Sequence, residues 1–232
     1  MSEISLRVII KEKVTEEFSA LIDALHFFLN EINNCDKRIT AFYSQGETLE
    51  EALANKIIDV NGYTNPDAKN LIGKYLPIVE GVWDGNEDNS MSILFIKNDE
   101  NSSVLISAEN HIGIYIKNNL IKFINSVSGK YTLQLFSVSF NGSDVGEAVF
   151  PDRPPAGWML YLPFQFEIHP SLLKTGAEFI PISTPLSTGT IIISKDDYNC
   201  MEKADQHLSN DIEIALRDLG ILPLYSNIYK NK

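Results

Sequence analysis

Between residues 78 and 116 the chain breaks into short strand-like runs, and this stretch constrains the fold more than any other. The runs cover residues 78–83, 91–97, 103–107 and 111–116, parted by Asp, Asn, Gly and Glu. Turns this short and regular join antiparallel neighbours, because a parallel pair needs a crossover of a dozen or more residues. An antiparallel meander is therefore expected at the centre of the chain. Helical patterns flank it. Phe18, Leu21, Ile22, Leu25, Phe28, Leu29 and Ile32 recur at spacings of three and four. They predict an amphipathic helix over residues 15–33, capped by Thr15. Ala204, Leu208, Ile212, Ile214, Ala215 and Leu219 predict a closing helix over 197–219. Asp197 is its expected cap and Gly220 its stop.

The remaining elements follow from the same periodicities. Leu6, Val8 and Ile10 alternate in a first strand, and residues 39–44 read as a second. Thr48 and Glu51 stand at the capping-box spacing, opening a helix whose period takes in Leu49, Ala52, Leu53, Lys56 and Ile57. A short helical segment is expected at 66–75 and a helix at 120–127. Further strands are expected at 131–140, 158–163, 179–182 and 190–194. The fold class is α+β, a mostly antiparallel sheet with flanking helices. The chain reads as one domain over 1–232; if it has two lobes, their boundary falls near 141–157, where the proline-rich loop lies.

Composition excludes several function classes. The 232 residues carry 19 basic and 31 acidic side chains, a net charge of −12. A direct nucleic-acid binder needs a basic face to neutralise phosphates, so that class is set aside. No apolar run reaches the roughly 20 residues of a membrane span, and the first residues lack the basic-then-apolar pattern of a signal peptide. Cys35 and Cys200 make no disulfide framework. A cytoplasmic location is the expectation. Catalytic motifs are missing: no G-x-S-x-G elbow, no S-x-x-K, no P-loop and no dinucleotide fingerprint. His26, His111, His169 and His207 stand apart in sequence; Glu167 and His169 share a strand face but precede Pro170. No cofactor, metal site or catalytic residue is assigned.

Charge is unevenly placed. Residues 1–116 hold 19 acidic and 9 basic side chains, whereas 117–232 hold 12 and 10. Within 80–109 there are seven acids, Glu80, Asp84, Glu87, Asp88, Asp99, Glu100 and Glu109, against the single base Lys97. Asp84, Glu87, Asp88, Asp99 and Glu100 belong to two hairpin loops, which are expected to project together from one end of the sheet. With Trp83 as an aromatic anchor beside them, these residues form a candidate partner-binding surface for something basic. A plain solvated loop face is the alternative.

Several segments together resemble the immunity protein 52 family of bacterial polymorphic-toxin and type VI secretion systems. They are Ala41-Phe42-Tyr43-Ser44-Gln45-Gly46-Glu47-Thr48-Leu49-Glu50-Glu51-Ala52, Trp83-Asp84-Gly85, and Phe150-Pro151-Asp152-Arg153. Gly157-Trp158-Met159-Leu160-Tyr161-Leu162-Pro163, Gly189-Thr190-Ile191-Ile192-Ile193-Ser194 and Asp218-Leu219-Gly220-Ile221-Leu222-Pro223 complete the set. Where the family often has tryptophan, this chain has Phe42-Tyr43. The resemblance implies a non-enzymatic protein that binds and neutralises a cognate secreted toxin, of nuclease type with a basic active-site cleft, by stoichiometric occlusion. Gly157 and Trp158 are read as core. Two other classes stay open: a small hydrolase or transferase whose site assembles only in three dimensions, and an acidic scaffold for another basic partner. Homodimerisation stays open as well.

Overall fold

A computed structural model describes residues 3–72, 79–140 and 148–230. The described strands are β1 (Ile4–Ile10), β2 (Ala41–Tyr43), β3 (Lys56–Asp59), β4 (Val79–Trp83) and β5 (Met91–Lys97), then β6 (Ser102–Ala108), β7 (Leu133–Phe140), β8 (Met159–Leu162), β9 (Glu178–Ser183) and β10 (Thr188–Ile193). They form one ten-stranded sheet in the order β3-β2-β4-β5-β6-β1-β7-β8-β10-β9, with antiparallel neighbours throughout. The helices are α1 (Phe18–Cys35), α2 (Leu49–Ala54), α3 (Ala68–Ile72), α4 (Lys117–Lys130), α5 (Pro170–Leu173), α6 (Lys203–Asp218) and α7 (Tyr225–Tyr229). The α+β class and the central meander are as the sequence implied. No helix among the described residues is long and apolar enough to cross a membrane.

Alternation along β1 shows how the sheet is covered. Ile4, Leu6, Val8 and Ile10 point into one core with Leu21, Leu25, Phe28, Leu29 and Ile32 of α1 and Leu120, Phe123, Ile124 and Val127 of α4. Phe28 is the hub of this face, with ring centroids 5.9 Å from Phe95, 6.1 Å from Phe123 and 6.2 Å from Tyr131. Burying a side chain of this kind contributes about 1.5–3 kcal/mol. Ile9 points the other way, into a second core with Leu135, Leu160, Leu162 and Ile192 beneath Ile212 and Leu216 of α6 and Ile228 of α7. That cover belongs to the β7–β9 half. On the same face of β5 and β6, Ser92 is exposed and Leu94, Ile96, Leu105 and Ser107 are half-buried.

The junction at 141–157 does not interrupt the sheet: Phe136 pairs with Tyr161 and Ser137 with Leu160 across it. Residues 141–147 of that expected boundary lie outside the described residues. Gly157 enters β8 with φ of +51°, and a β-carbon there would sit 2.5 Å from the Val138 carbonyl oxygen, so only glycine fits. Trp158 is 3% exposed and donates its indole N–H to the Lys195 carbonyl at 2.9 Å, the core role read for it.

Four local expectations are corrected. Helix α1 starts at Phe18 rather than Thr15, because a turn closing Glu16 onto Lys13 precedes it; Thr15 caps nothing. The helix opened by Thr48 stops at Ala54, and Lys56–Asp59 peel away as β3 to pair with β2. Residues 111–116 are not a strand. Asn110 adopts φ of +53°, and the chain winds into a 3-10 turn over Ile112–Tyr115. Helix α6 starts at Lys203, since Asp205 reaches back to Asn199 N–H and Lys195 Nζ, each at 2.8 Å, and holds residues 195–202 in a loop. Ile214 of the expected stripe faces outward, and Glu213 is buried instead. Gly220 does end the helix: its N–H bonds to Arg217 and that of Ile221 to Leu216, the paired closure of a Schellman motif.

Candidate partner-docking site

Strand β5 separates the two acidic loops. Asp84 N–H bonds to the Met91 carbonyl at one end of it, and Asn98 N–H to that of Asn101 at the other. Seven extended residues span about 20 Å at roughly 3.4 Å each. Glu87 and Asp88 therefore leave one end of the sheet while Asp99 and Glu100 leave the opposite end, and the expectation that they project together is wrong. Consecutive hairpins in a meander always turn at alternate ends. The acid that does share an end with Glu87 and Asp88 is Glu109, whose N–H bonds to Ser90.

Asp84 also differs from its expected part. Its side chain is buried, and Oδ1 accepts from Met91 N–H at 3.0 Å and Asn86 N–H at 3.3 Å. Burial pushes its carboxyl above the ordinary range, with the two N–H contacts opposing. Asp84 organises the turn rather than facing solvent. Glu87, Asp88, Asp99 and Glu100 are exposed.

Trp83 stands half-buried in the wall of a cleft. Its indole N–H donates to the Ser44 carbonyl at 3.3 Å, fastening β4 to the segment that leaves β2. That segment, α2, Trp83 and Glu87 enclose a hollow of about 350 Å³. A second of about 410 Å³ shares Gln45, Gly46 and Glu47 with it and runs back to Asn70 and Leu71. The capping box forms the rim. Thr48 Oγ1 accepts from Glu51 N–H at 3.2 Å, and the Glu51 carboxylate accepts from Glu47 N–H at 3.0 Å. Leu49 and Leu53 of α2 are 42% and 43% exposed, and Gly85 packs against Leu53 and the Tyr43 ring. Glu47, Glu50, Glu87 and Asp88 make no ion pair with the described residues. Apolar anchors beside carboxylates that pair with no cation among the described residues suit a basic partner with an apolar contact point. Sequence reasoning did not place Leu49 and Leu53 here, having assigned them to the period of a helix, nor Glu47 and Glu50, which entered only through the family resemblance. The structure supplies what the spacing lacked: α2 stops after six residues and Ala52 is its buried residue.

Beneath the loop lies a buried polar cluster. Arg38 grips Asp36 with Nε 2.9 Å from Oδ1 and Nη2 on Oδ2, and holds that carboxyl well below the aspartate range. His111 sits between Asp36, whose Oδ2 is 3.4 Å from Nδ1, and Asp84, whose Oδ2 is 3.8 Å from Nε2. The Asn89 carbonyl lies 2.7 Å from Nε2. The other histidine with a clear role is His169, which caps α5 by accepting from Ser171 N–H at 3.2 Å. Among the described residues no three His, Cys, Asp or Glu side chains are grouped to hold a metal.

The sequence matches no protein-family model and no curated protein. The resemblance to the immunity protein 52 family therefore rests on its motifs. Among solved structures, the chain is similar to one titled Pseudomonas aeruginosa T6SS protein PA0821, at 10% identity and a TM-score of 0.48, over 92% of this chain and 76% of that one.

Proposed function

We propose that this chain is a binding protein of the immunity type, which neutralises a cognate secreted toxin, of nuclease kind, by docking a basic surface of it onto the Trp83 cleft. The observation that carries this reading is the cleft itself: half-buried Trp83, exposed Leu49, Glu47 and Glu87 line it, Leu53, Glu50 and Asp88 stand exposed on the same helix and loop, and none of the four carboxylates makes an ion pair with the described residues. A nuclease lines its cleft with Lys and Arg to hold phosphate, so an acidic surface competes for the same groups. The net charge of −12 speeds encounter with such a partner. Trp83 supplies the desolvated contact around which charge pairs become effective.

The test is to identify the genes beside that for this chain and, where one encodes a secreted nuclease-like toxin, to co-express the two. Growth is expected to be rescued, and a purified complex should weaken by about tenfold or more with Trp83→Ala. Changing Glu47, Glu87 and Asp88 to alanine together should flatten its salt dependence. A complex that forms equally well with all four positions changed would overturn the site. A toxin that stays active beside an intact complex would overturn the function.

A further inference from the structure

Residues 45–47, part of the connection from β2 to α2, wall two hollows at once. Helix α2 holds this stretch in place. Gly46 lies directly on the helix: a β-carbon there would sit 2.5 Å from the Ala52 nitrogen. The Glu51 carboxylate takes the Glu47 N–H at 3.0 Å, and Asn55 Nδ2 donates to the Gln45 carbonyl at 3.2 Å. The wall is one backbone thick and is set before any partner arrives, so no loop has to be ordered on binding. The hollows that share it differ in chemistry. The first sets Trp83, Leu49 and Ala52 beside Thr48 and Glu87. The second is lined by Ser44, Glu51, Asn55, Asn70 and Leu71.

Acceptors dominate the second hollow. The carboxylates of Glu47 and Glu51 only accept, and neither makes an ion pair with the described residues. Asn55 uses Nδ2 on Gln45, which leaves its amide oxygen as an acceptor, and the Ser44 hydroxyl is turned onto the Leu71 carbonyl at 3.4 Å. No lysine or arginine is among the described residues that line either hollow. A side chain that satisfies two carboxylates and an amide oxygen together must present several donors. Guanidinium carries five in one rigid plane, where ammonium carries three at a point. An extended chain sends residues i and i+2 to one side about 7 Å apart, far enough to straddle a single backbone. We propose that the partner straddles the 45–47 wall with two side chains of one segment: an arginine in the polar hollow and a large apolar residue against Trp83 and Leu49. The partner is thus a basic protein that presents Arg-x-apolar on an extended strand or loop. This pairing of side chains rests on the docking proposed above for the identity of the partner.

The experiment is ¹H–¹⁵N NMR of the full chain titrated with the peptide acetyl-Gly-Arg-Gly-Leu-Gly-amide. The side-chain amides of Asn55 and Asn70 report on the polar hollow, and the Trp83 indole N–H on the other. Both sets of signals are expected to shift. With citrulline, the neutral isostere of arginine, the Asn55 and Asn70 signals should stay in place and affinity should fall about threefold or more. With glycine for the leucine, the Trp83 signal should stay. Glu51 lines the polar hollow alone and Glu87 the other alone, so two single charge removals separate local contact from net charge. In Glu51→Gln, which keeps the capping box, the citrulline loss should disappear; in Glu87→Gln it should persist. Asn55 and Asn70 signals that ignore the arginine peptide, or move as far with citrulline, overturn the proposal. So does a Trp83 signal indifferent to the leucine, or a citrulline loss unchanged by Glu51→Gln. Silence at both hollows up to about 10 mM peptide overturns it as well. Should Glu51→Gln not fold, the peptide comparison on the parent decides alone. A toxin neutralised in a complex indifferent to Glu51→Gln would end the two-pronged contact and spare the proposed function. Hollows that take the peptide beside a toxin that stays active would do the reverse.

Discussion

Asp36 is a residue whose charge is set by the groups that hold it. Arg38 and the N–H and imidazole contacts around it lower its pKa on folding, so its contribution is present above the ordinary aspartate range and lost as pH falls through and below it. Asp36→Asn is expected to lower stability at neutral pH and to give a shallower acid limb in urea midpoints measured from pH 7 down to about pH 3. An acid limb as steep as the parent's would assign it to other carboxylates. Cys35, the next residue back, behaves oppositely: burial, with Glu31 and Asp36 nearby, pushes its thiol up to about 11. It stays a thiol, inert as a nucleophile. The tight packing here shows at Gly113, where a β-carbon would lie 1.9 Å from the Cys35 carbonyl oxygen. Gly113→Ala should cost about 1–3 kcal/mol in urea unfolding, by forcing the 3-10 turn off the end of α1.

At the scale of elements, α2 is a helix that buries Ala52 and leaves both of its leucines exposed, as the proposed docking requires. Replacing Leu49 and Leu53 with serine is expected to change unfolding free energy by no more than about 0.5 kcal/mol each. The same pair should weaken partner binding, measured by titration calorimetry, well beyond that. Large destabilisation would mean that the leucines pack inward. Long periodic elements were legible in the sequence: β5 has the expected bounds, and α1 and α4 exist where many apolar positions vote together, although their ends differ by two or three residues. Short ones were not. Strand β3 is four residues that continue a helical apolar count, and only pairing with β2 decides for extension. Helices α5 and α7, of four and five residues, carry too little periodicity to announce themselves. The site was half legible. Trp83, Glu87 and Asp88 fall together, but the strand direction that parts them from Asp99 and Glu100 was overlooked, and α2 entered the site only through tertiary placement.

At the scale of the whole molecule, the chain's two tryptophans report on opposite sides of β1: Trp83 from β4, and Trp158 from the entry to β8. A single cooperative unit predicts that Trp83→Phe and Trp158→Phe, each leaving one emitter, share one urea midpoint once their own stability changes are checked by circular dichroism. Two separated midpoints would mean two lobes that unfold independently. The sheet order also says something about time. Strand β1 lies between β6 and β7, paired over seven residues with each, so a strand made well before both of its partners occupies the middle of the sheet. Its partners arrive about 95 to 130 residues later, a wait of roughly 5 to 25 s at ordinary rates of synthesis. Closing a loop that long costs about 4 kcal/mol of chain entropy. During that interval Ile4, Leu6, Val8, Ile9 and Ile10 have no sheet to join. The nascent chain thus carries an unpaired apolar segment until both partners have been made, and pairing so distant in sequence slows folding.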